Sequence, residues 1–210
     1  MLKNYEYMQA ILSQNLRWII GHMTEHFIPK DMHEELILKC FEDQSEEYKD
    51  TLRKMNLFTQ SVLEESHIKV LIYEEALNDF AVSGKLDFYN HKIYLNEIQR
   101  LRYMRYLETL IEKNQNFEIK LIRGHLITDF QHIPNPTLFI SDNISYLRLQ
   151  RSRGRNNISI LNRYSIKEMF SCFYDEIWRE EKYNVIEGRD TVLKLTQHII
   201  HYIEILSRMN

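Results

Sequence analysis

HIKVLIYEEAL, residues 67–77, carries Val70, Leu71, Ile72 and Tyr73 in succession and then two carboxylates, Glu74 and Glu75. An unbroken apolar run of this length fits a strand covered on both faces, as strands of a parallel sheet are. A short helix follows and ends near Gly84. KIYLNEIQRLRYMRYLETLIEKN, residues 92–114, then sets Leu95, Ile98, Leu101, Met104, Leu107 and Ile111 along one side of a helix, with Arg100, Arg102 and Glu108 outside it. FEIKLI, residues 117–122, alternates Phe117, Ile119 and Leu121 with Glu118 and Lys120, the pattern of a half-buried strand. Two strands joined by a helical crossover and lying parallel bring their carboxyl ends to the same sheet edge.

Further on, IPNP (133–136) forces extended or turned backbone. TLFI, ISYLRLQ and ISIL (137–161) then read as an antiparallel meander, followed by two helices. The first would bury Ile166, Met169, Phe170, Phe173 and Ile177; the second, over about 190–208, would bury Val192, Leu195, Ile199, Ile203 and Leu206. Upstream of residue 65 the spacing predicts helices only. Tyr5, Met8, Leu12, Leu16, Ile19 and Met23 form one helical stripe, and Pro29 interrupts it. Asp31 with Glu34 then reads as a capping box. Ile37, Phe41, Tyr48, Leu52 and Met55 share a face, with a break near Gln44 and Ser45. The expected fold class is α+β: N-terminal helices followed by a mixed, mostly antiparallel sheet packed by helices, ending in two helices.

A chain of 210 residues with 44% hydrophobic and 12% aromatic content can build a full core, and 5 glycines and 3 prolines leave little for linkers. The net charge of -3 argues against a protein dominated by phosphate binding. Cys40 and Cys172 each fall among helix-period residues and read as small buried hydrophobes in a reducing compartment. No window reaches the roughly 18 apolar residues of a spanning helix. The expectation is a cytoplasmic protein without membrane contact.

Several residue groups carry potential chemistry. LRLQRSRGRNNISIL, residues 147–161, gathers Arg148, Arg151, Arg153 and Arg155 around a hairpin turn at Gly154 and Asn156. Arginines there can grip phosphate in a nucleic acid or contact a partner. No aromatic residue interleaves them for base stacking, which favours a solvated tip. HMTEH, residues 22–26, matches the H-x-x-E-H pattern in which two histidines hold zinc and a glutamate activates water. Here His22, His26 and Glu25 lack an obvious third ligand, and Pro29 stops the helix that would present them. HIIH (His198, His201) and HLITDFQH (His125, His132) read as polar surfaces. Nucleophile elbows, phosphate loops and dinucleotide fingerprints do not occur, so no catalytic residue, metal or cofactor is expected. Aligning Gly21 with the turn glycine of a helix-turn-helix puts Arg17 where a small residue packs and Pro29 inside the recognition helix, which spoils the motif. Past the ends of the two candidate parallel strands stand Tyr73 and Glu74, then Arg123 and His125. They form either a polar rim for a small ligand or a structural ion pair between Glu74 or Glu75 and Arg123.

IKVLIYEEALNDF, YLNEIQRLRYMRYLETLIEKNQNFEIKLI and SIKEMFSCFYDEIW, in that order, resemble the C-terminal regulatory region of bacterial transcription regulators of the Xre type, over about residues 66–207. The resemblance implies a helical connector or dimerisation segment over 1–65 and an α+β regulatory domain over 66–210. It implies a non-catalytic ligand-sensing or dimerisation role in transcription regulation, with a homodimer and a small-molecule or peptide effector as partners. Tyr48, Leu52 and Met55 would then meet a second copy. DNA would be reached only through a helix-turn-helix, which such regulators usually carry and this chain lacks. The competing expectations are a zinc-dependent hydrolase at residues 22–26 and a nucleic-acid-binding module at the arginine hairpin, residues 148–163.

Overall fold

A computed structural model describes residues 15–89, 91–124, 137–141, 145–149, 157–161, 164–179 and 188–209, with backbone alone for 145–149, 157–161 and 164–167. In chain order the elements are β1 (Asn15–Ile20), a 3-10 turn (Glu25–Phe27), α1 (Lys30–Cys40), α2 (Glu46–Glu65), β2 (His67–Tyr73), α3 (Glu74–Ser83), β3 (Lys85–Phe88), β4 (His91–Tyr94), α4 (Glu97–Lys113), β5 (Phe117–Ile122), β6 (Thr137–Ile140), β7 (Ser145–Leu149), β8 (Asn157–Leu161), α5 (Tyr164–Arg179) and α6 (Arg189–Met209). The fold is α+β, with a mixed six-stranded sheet, a small two-stranded one, and two closing helices. Among the described residues no helix is long and apolar enough to cross a membrane.

The large sheet runs β5-β2-β1-β6-β7-β8. Its first three strands are parallel and the pairings from β1 onward to β8 are antiparallel. β2 behaves as its apolar run requires: Ile68, Val70, Leu71 and Ile72 are fully buried between two parallel neighbours. β6, β7 and β8 form the expected meander.

Residues 15–20 correct the helical expectation upstream of residue 65. NLRWII is a strand inside the sheet, between β2 and β6. The helical stripe through Leu16 and Ile19 passes over Trp18 and Ile20, which are buried as well. A segment buried on both faces satisfies helical and strand spacing alike, and its pairing partners decide. Only Arg17 breaks the run, reaching Asp175 of α5 at 3.1 Å. Residues on both sides of position 65 therefore contribute to a single hydrophobic core.

α1 and α2 form the expected helix pair with its break at Gln44 and Ser45, but Pro29 stands at the N-cap of α1 and Asp31 instead meets Arg102 of α4 at 2.7 Å. The face expected to bind a second copy is spent inside the molecule. Leu52 is 2% and Met55 8% exposed, and Tyr48 packs on Phe41 with ring centroids 5.5 Å apart.

One sheet face carries Trp18 and Phe117, both packed on Phe27 of the 3-10 turn. Phe27 also meets Tyr103 of α4, which in turn meets Phe80 of α3. The other face is covered by α5, whose Tyr174 hydroxyl donates to Lys69 O at 2.7 Å and whose Trp178 ring lies under the Lys120 ammonium at 4.4 Å. In α5 Ile177 is buried as expected and Tyr174 is fully buried beside it, whereas Met169 is exposed, and Cys172 is exposed rather than buried. α6 packs on α4 and on β5, the outer strand of the sheet, where an uncovered ladder would invite pairing with other chains.

Candidate functional site

β1, β2 and β5 end on one sheet edge because they are parallel, and β6, running the other way, begins there. Past β1 the chain continues through Gly21 and His22, and Thr137 opens β6. The Gly21 N–H donates to Thr137 Oγ1 at 3.1 Å, and Thr137 Oγ1 lies 3.1 Å from His22 Nδ1. On the other side of the ring, His22 Nε2 lies 2.9 Å from Asp87 Oδ2. Asp87 belongs to β3, which docks beside the segment after β1: Thr24 and Asp87 form a bridge, and the Asp87 N–H donates to Met23 O at 3.0 Å.

The Nε2–Asp87 contact is close without hydrogen-bond geometry, whereas the Thr137 oxygen accepts from the Gly21 N–H and meets Nδ1 on its other side. The Asp87 side chain is 1% exposed and that of His22 11%. Thr137 is fully buried. His22 thus joins a buried carboxylate on one element to a buried hydroxyl on another, with one ring edge toward solvent.

That edge looks into a small cleft, partly open to solvent. Met23, Ala76 and Phe80, nearly fully buried, lie behind its wall, and Asp79 and Lys85 add one charge of each sign at its rim. α3 places Ala76, Asp79 and Phe80 there because those residues lie within one turn of each other on a helix that starts directly after β2. The location agrees with the general tendency of ligands to gather at the carboxyl edge of parallel strands.

The rim residues expected at this edge divide. Tyr73 is 2% exposed, and burial, together with the nearby Glu75 carboxylate, pushes its phenol far above the ordinary range, so it fills the core rather than presenting a hydroxyl. Glu74 and Arg123 are brought together, with Oε2 and Nε 3.4 Å apart, half-exposed on both sides. The structural ion pair is therefore present at this edge. His125 lies outside the described residues. β7 and β8 pair as the hairpin expected around the arginines, and the Arg148 backbone pairs with Thr137 and Ile158. The Arg148 side chain and Arg151, Arg153 and Arg155 lie outside the described residues.

Residues 22–26 do not form the helix that the H-x-x-E-H pattern requires. The segment runs from an extended Thr24 into the 3-10 turn and is not the α-helix that would place His22 and His26 one turn apart. His22 turns to Thr137 and Asp87, whereas His26 Nδ1 meets Thr24 Oγ1 at 2.9 Å and its ring stacks on Phe139 at 4.6 Å. Among the described residues no three His, Cys, Asp or Glu side chains are grouped to hold a metal. His198 and His201 are exposed on α6.

Sequence reasoning singles out His22 but not its partners. Asp87 and Thr137 are remote in sequence, and KLDF with HKIY forms a hairpin too short to leave a periodic signal. The chain matches no protein family, no curated protein and no solved structure, so the chemistry of this edge rests on its own residues.

Proposed function

We propose that the chain is a non-catalytic ligand-sensing domain of a cytoplasmic bacterial transcription regulator, with its effector seated in the cleft beside His22. One observation carries this reading: the ring that walls the cleft also bonds Thr137, the first residue of β6. A guest that changes how His22 sits acts directly on the junction between the parallel and antiparallel parts of the sheet. A ligand with different affinity for two arrangements of that junction shifts their populations, which is what a sensor must do. Burial of the Thr137 hydroxyl supports binding rather than turnover, because the group joined to the imidazole is out of a substrate's reach. Pairing of two copies belongs to the same proposal, and sedimentation velocity tests it.

The test is a screen of small polar compounds against the full chain, read by amide proton and nitrogen shifts. Binders are expected to move the Gly21, His22 and Asp87 amides and, through Thr137, those of β6. A screen without binders, or with binders whose shifts never include Gly21 and His22, overturns the reading.

A further inference from the structure

α6 carries two apolar stripes, and the fold uses one of them. Val192, Thr196, Ile199 and Ile203 are buried against the rest of the molecule and hold the helix in place. On the adjoining face Leu195, His198, Tyr202, Ile205 and Met209 repeat at alternating spacings of three and four, the rhythm of a coiled-coil seam. Tyr202, Ile205 and Met209 of that seam are 42%, 45% and 77% exposed. Single exposed apolar residues are ordinary, but three in register on one helix form a stripe that a second helix can cover.

Charge specifies that second helix. Lys194, His201 and Arg208 recur every seven residues, each directly before a seam position, and so form one basic row along the seam. All three are exposed, and none has an ion pair or hydrogen bond among the described residues. The carboxylates of α6 do not neutralise the row. Glu204 Oε1 accepts from Arg105 of α4 at 2.7 Å, and Asp190 stands in the first turn, where the helix N-terminus favours an acid. A second copy of α6 laid antiparallel on the seam would set two basic rows against each other, and a parallel one would face them with apolar Ile199 and Leu206. An anionic bilayer would match the charge but takes a broad immersed apolar face, whereas this seam is narrow and has the period of helix-on-helix packing. We propose that the exposed seam of α6 docks an amphipathic helix of another protein, with apolar residues at the same alternating spacing and a row of carboxylates facing Lys194, His201 and Arg208. This surface is independent of the cleft beside His22.

Isothermal titration of the full chain with two synthetic peptides tests it, each about three heptads long with leucine at the seam positions. One carries glutamate and the other lysine at the flanking positions, and the like charges keep each peptide from pairing with itself. The glutamate peptide is expected to bind at least about tenfold more tightly than the lysine peptide, and Ile205→Gln to weaken it about tenfold. Lys194→Glu combined with Arg208→Glu is expected to invert the preference. All three side chains are exposed, so circular dichroism should show these variants folded like the parent. No binding of the glutamate peptide at high micromolar concentration, equal binding of the two peptides, an affinity unchanged by Ile205→Gln, or a preference that survives the charge reversal overturns the proposal. A parent dimer that Ile205→Gln dissociates in sedimentation velocity overturns it in favour of a second copy. Phosphatidylglycerol vesicles that bind the parent but not Ile205→Gln overturn it in favour of a bilayer.

Discussion

Gly84 is the residue at which a single backbone angle aligns two elements. It ends α3 with φ at +66°, and its carbonyl accepts from the Leu95 N–H at 2.9 Å. A Cβ at this position would lie 2.3 Å from Leu95 O, a backbone atom that cannot swing away. Gly84→Ala adds the left-handed penalty to that overlap, and a loss of about 3 kcal/mol in unfolding free energy is expected. Urea titration reads it, and a loss below about 1 kcal/mol would show that the turn relaxes freely. His33 makes a second residue-scale case. Its ring is buried, Nε2 lies 2.6 Å from Tyr89 Oη, and that hydroxyl donates to Leu52 O at 3.2 Å. Burial pulls the His33 pKa down to about 4, against the opposing fields of Glu25 and Glu34. The folded value lies below the ordinary one, so the unfolded chain takes up the proton first as pH falls. The contribution is complete above about pH 6.5 and is lost as pH drops toward about 4, on the order of 3 kcal/mol in all. His33→Gln keeps a polar side chain but removes this titration. The difference in unfolding free energy between pH 7 and pH 4.5 is expected to shrink in the variant, and an unchanged difference would assign the acid sensitivity to other groups.

Helix ends show the same economy at the scale of elements. Arg100 of α4 is 5% exposed and reaches back to the last turn of α3, donating to Ala81 O at 2.5 Å, Val82 O at 3.0 Å and Glu97 Oε1 at 2.8 Å. The guanidinium thus satisfies carbonyls that a helix C-terminus leaves open, and it locks α3 to α4. Arg100→Lys offers one point charge where a planar fork holds two elements, and a loss of about 2 kcal/mol is expected from thermal or urea unfolding. Retained stability would mean that water caps α3 equally well. This arginine also marks where sequence reading reached its limit. The helical spacing places Met104, Leu107 and Ile111 in the core correctly, yet it puts Ile98 inside and Arg100 outside, whereas Ile98 is 67% exposed. Periodicity averages over a whole helix, and the first turn of α4 faces an open helix end rather than a hydrophobic surface. β2, β5 and the meander were legible because their strand patterns run for several residues. β1 was not, since its burial on both faces erases the alternation that distinguishes strand from helix. β3 and β4, four residues each, have no period to detect.

At the scale of the whole molecule, the β1–β6 ladder joins the parallel β5-β2-β1 group to the antiparallel β6-β7-β8 group. Three residue pairs register in that ladder, Arg17 with Ile140, Trp18 with Phe139 and Ile19 with Leu138. The Gly21, His22 and Thr137 contacts extend it to the sheet edge, and Asp87 anchors it to β3. None of these long-range partners is readable from sequence, because the fold alone brings them together. Thr137→Val keeps the shape of the side chain but leaves the partly buried Gly21 N–H and His22 Nδ1 without their partner, with an expected cost of about 1 kcal/mol. His22→Phe removes the imidazole and leaves the same hydroxyl without its ring partner. If the pair works as a single linkage, the double variant loses less than the sum of the single losses, by about 1 kcal/mol or more. Urea unfolding of the four proteins measures that difference. Full additivity would mean that Thr137 and His22 stabilise the edge independently, and a cleft ligand touching His22 would then have no mechanical path into the antiparallel strands.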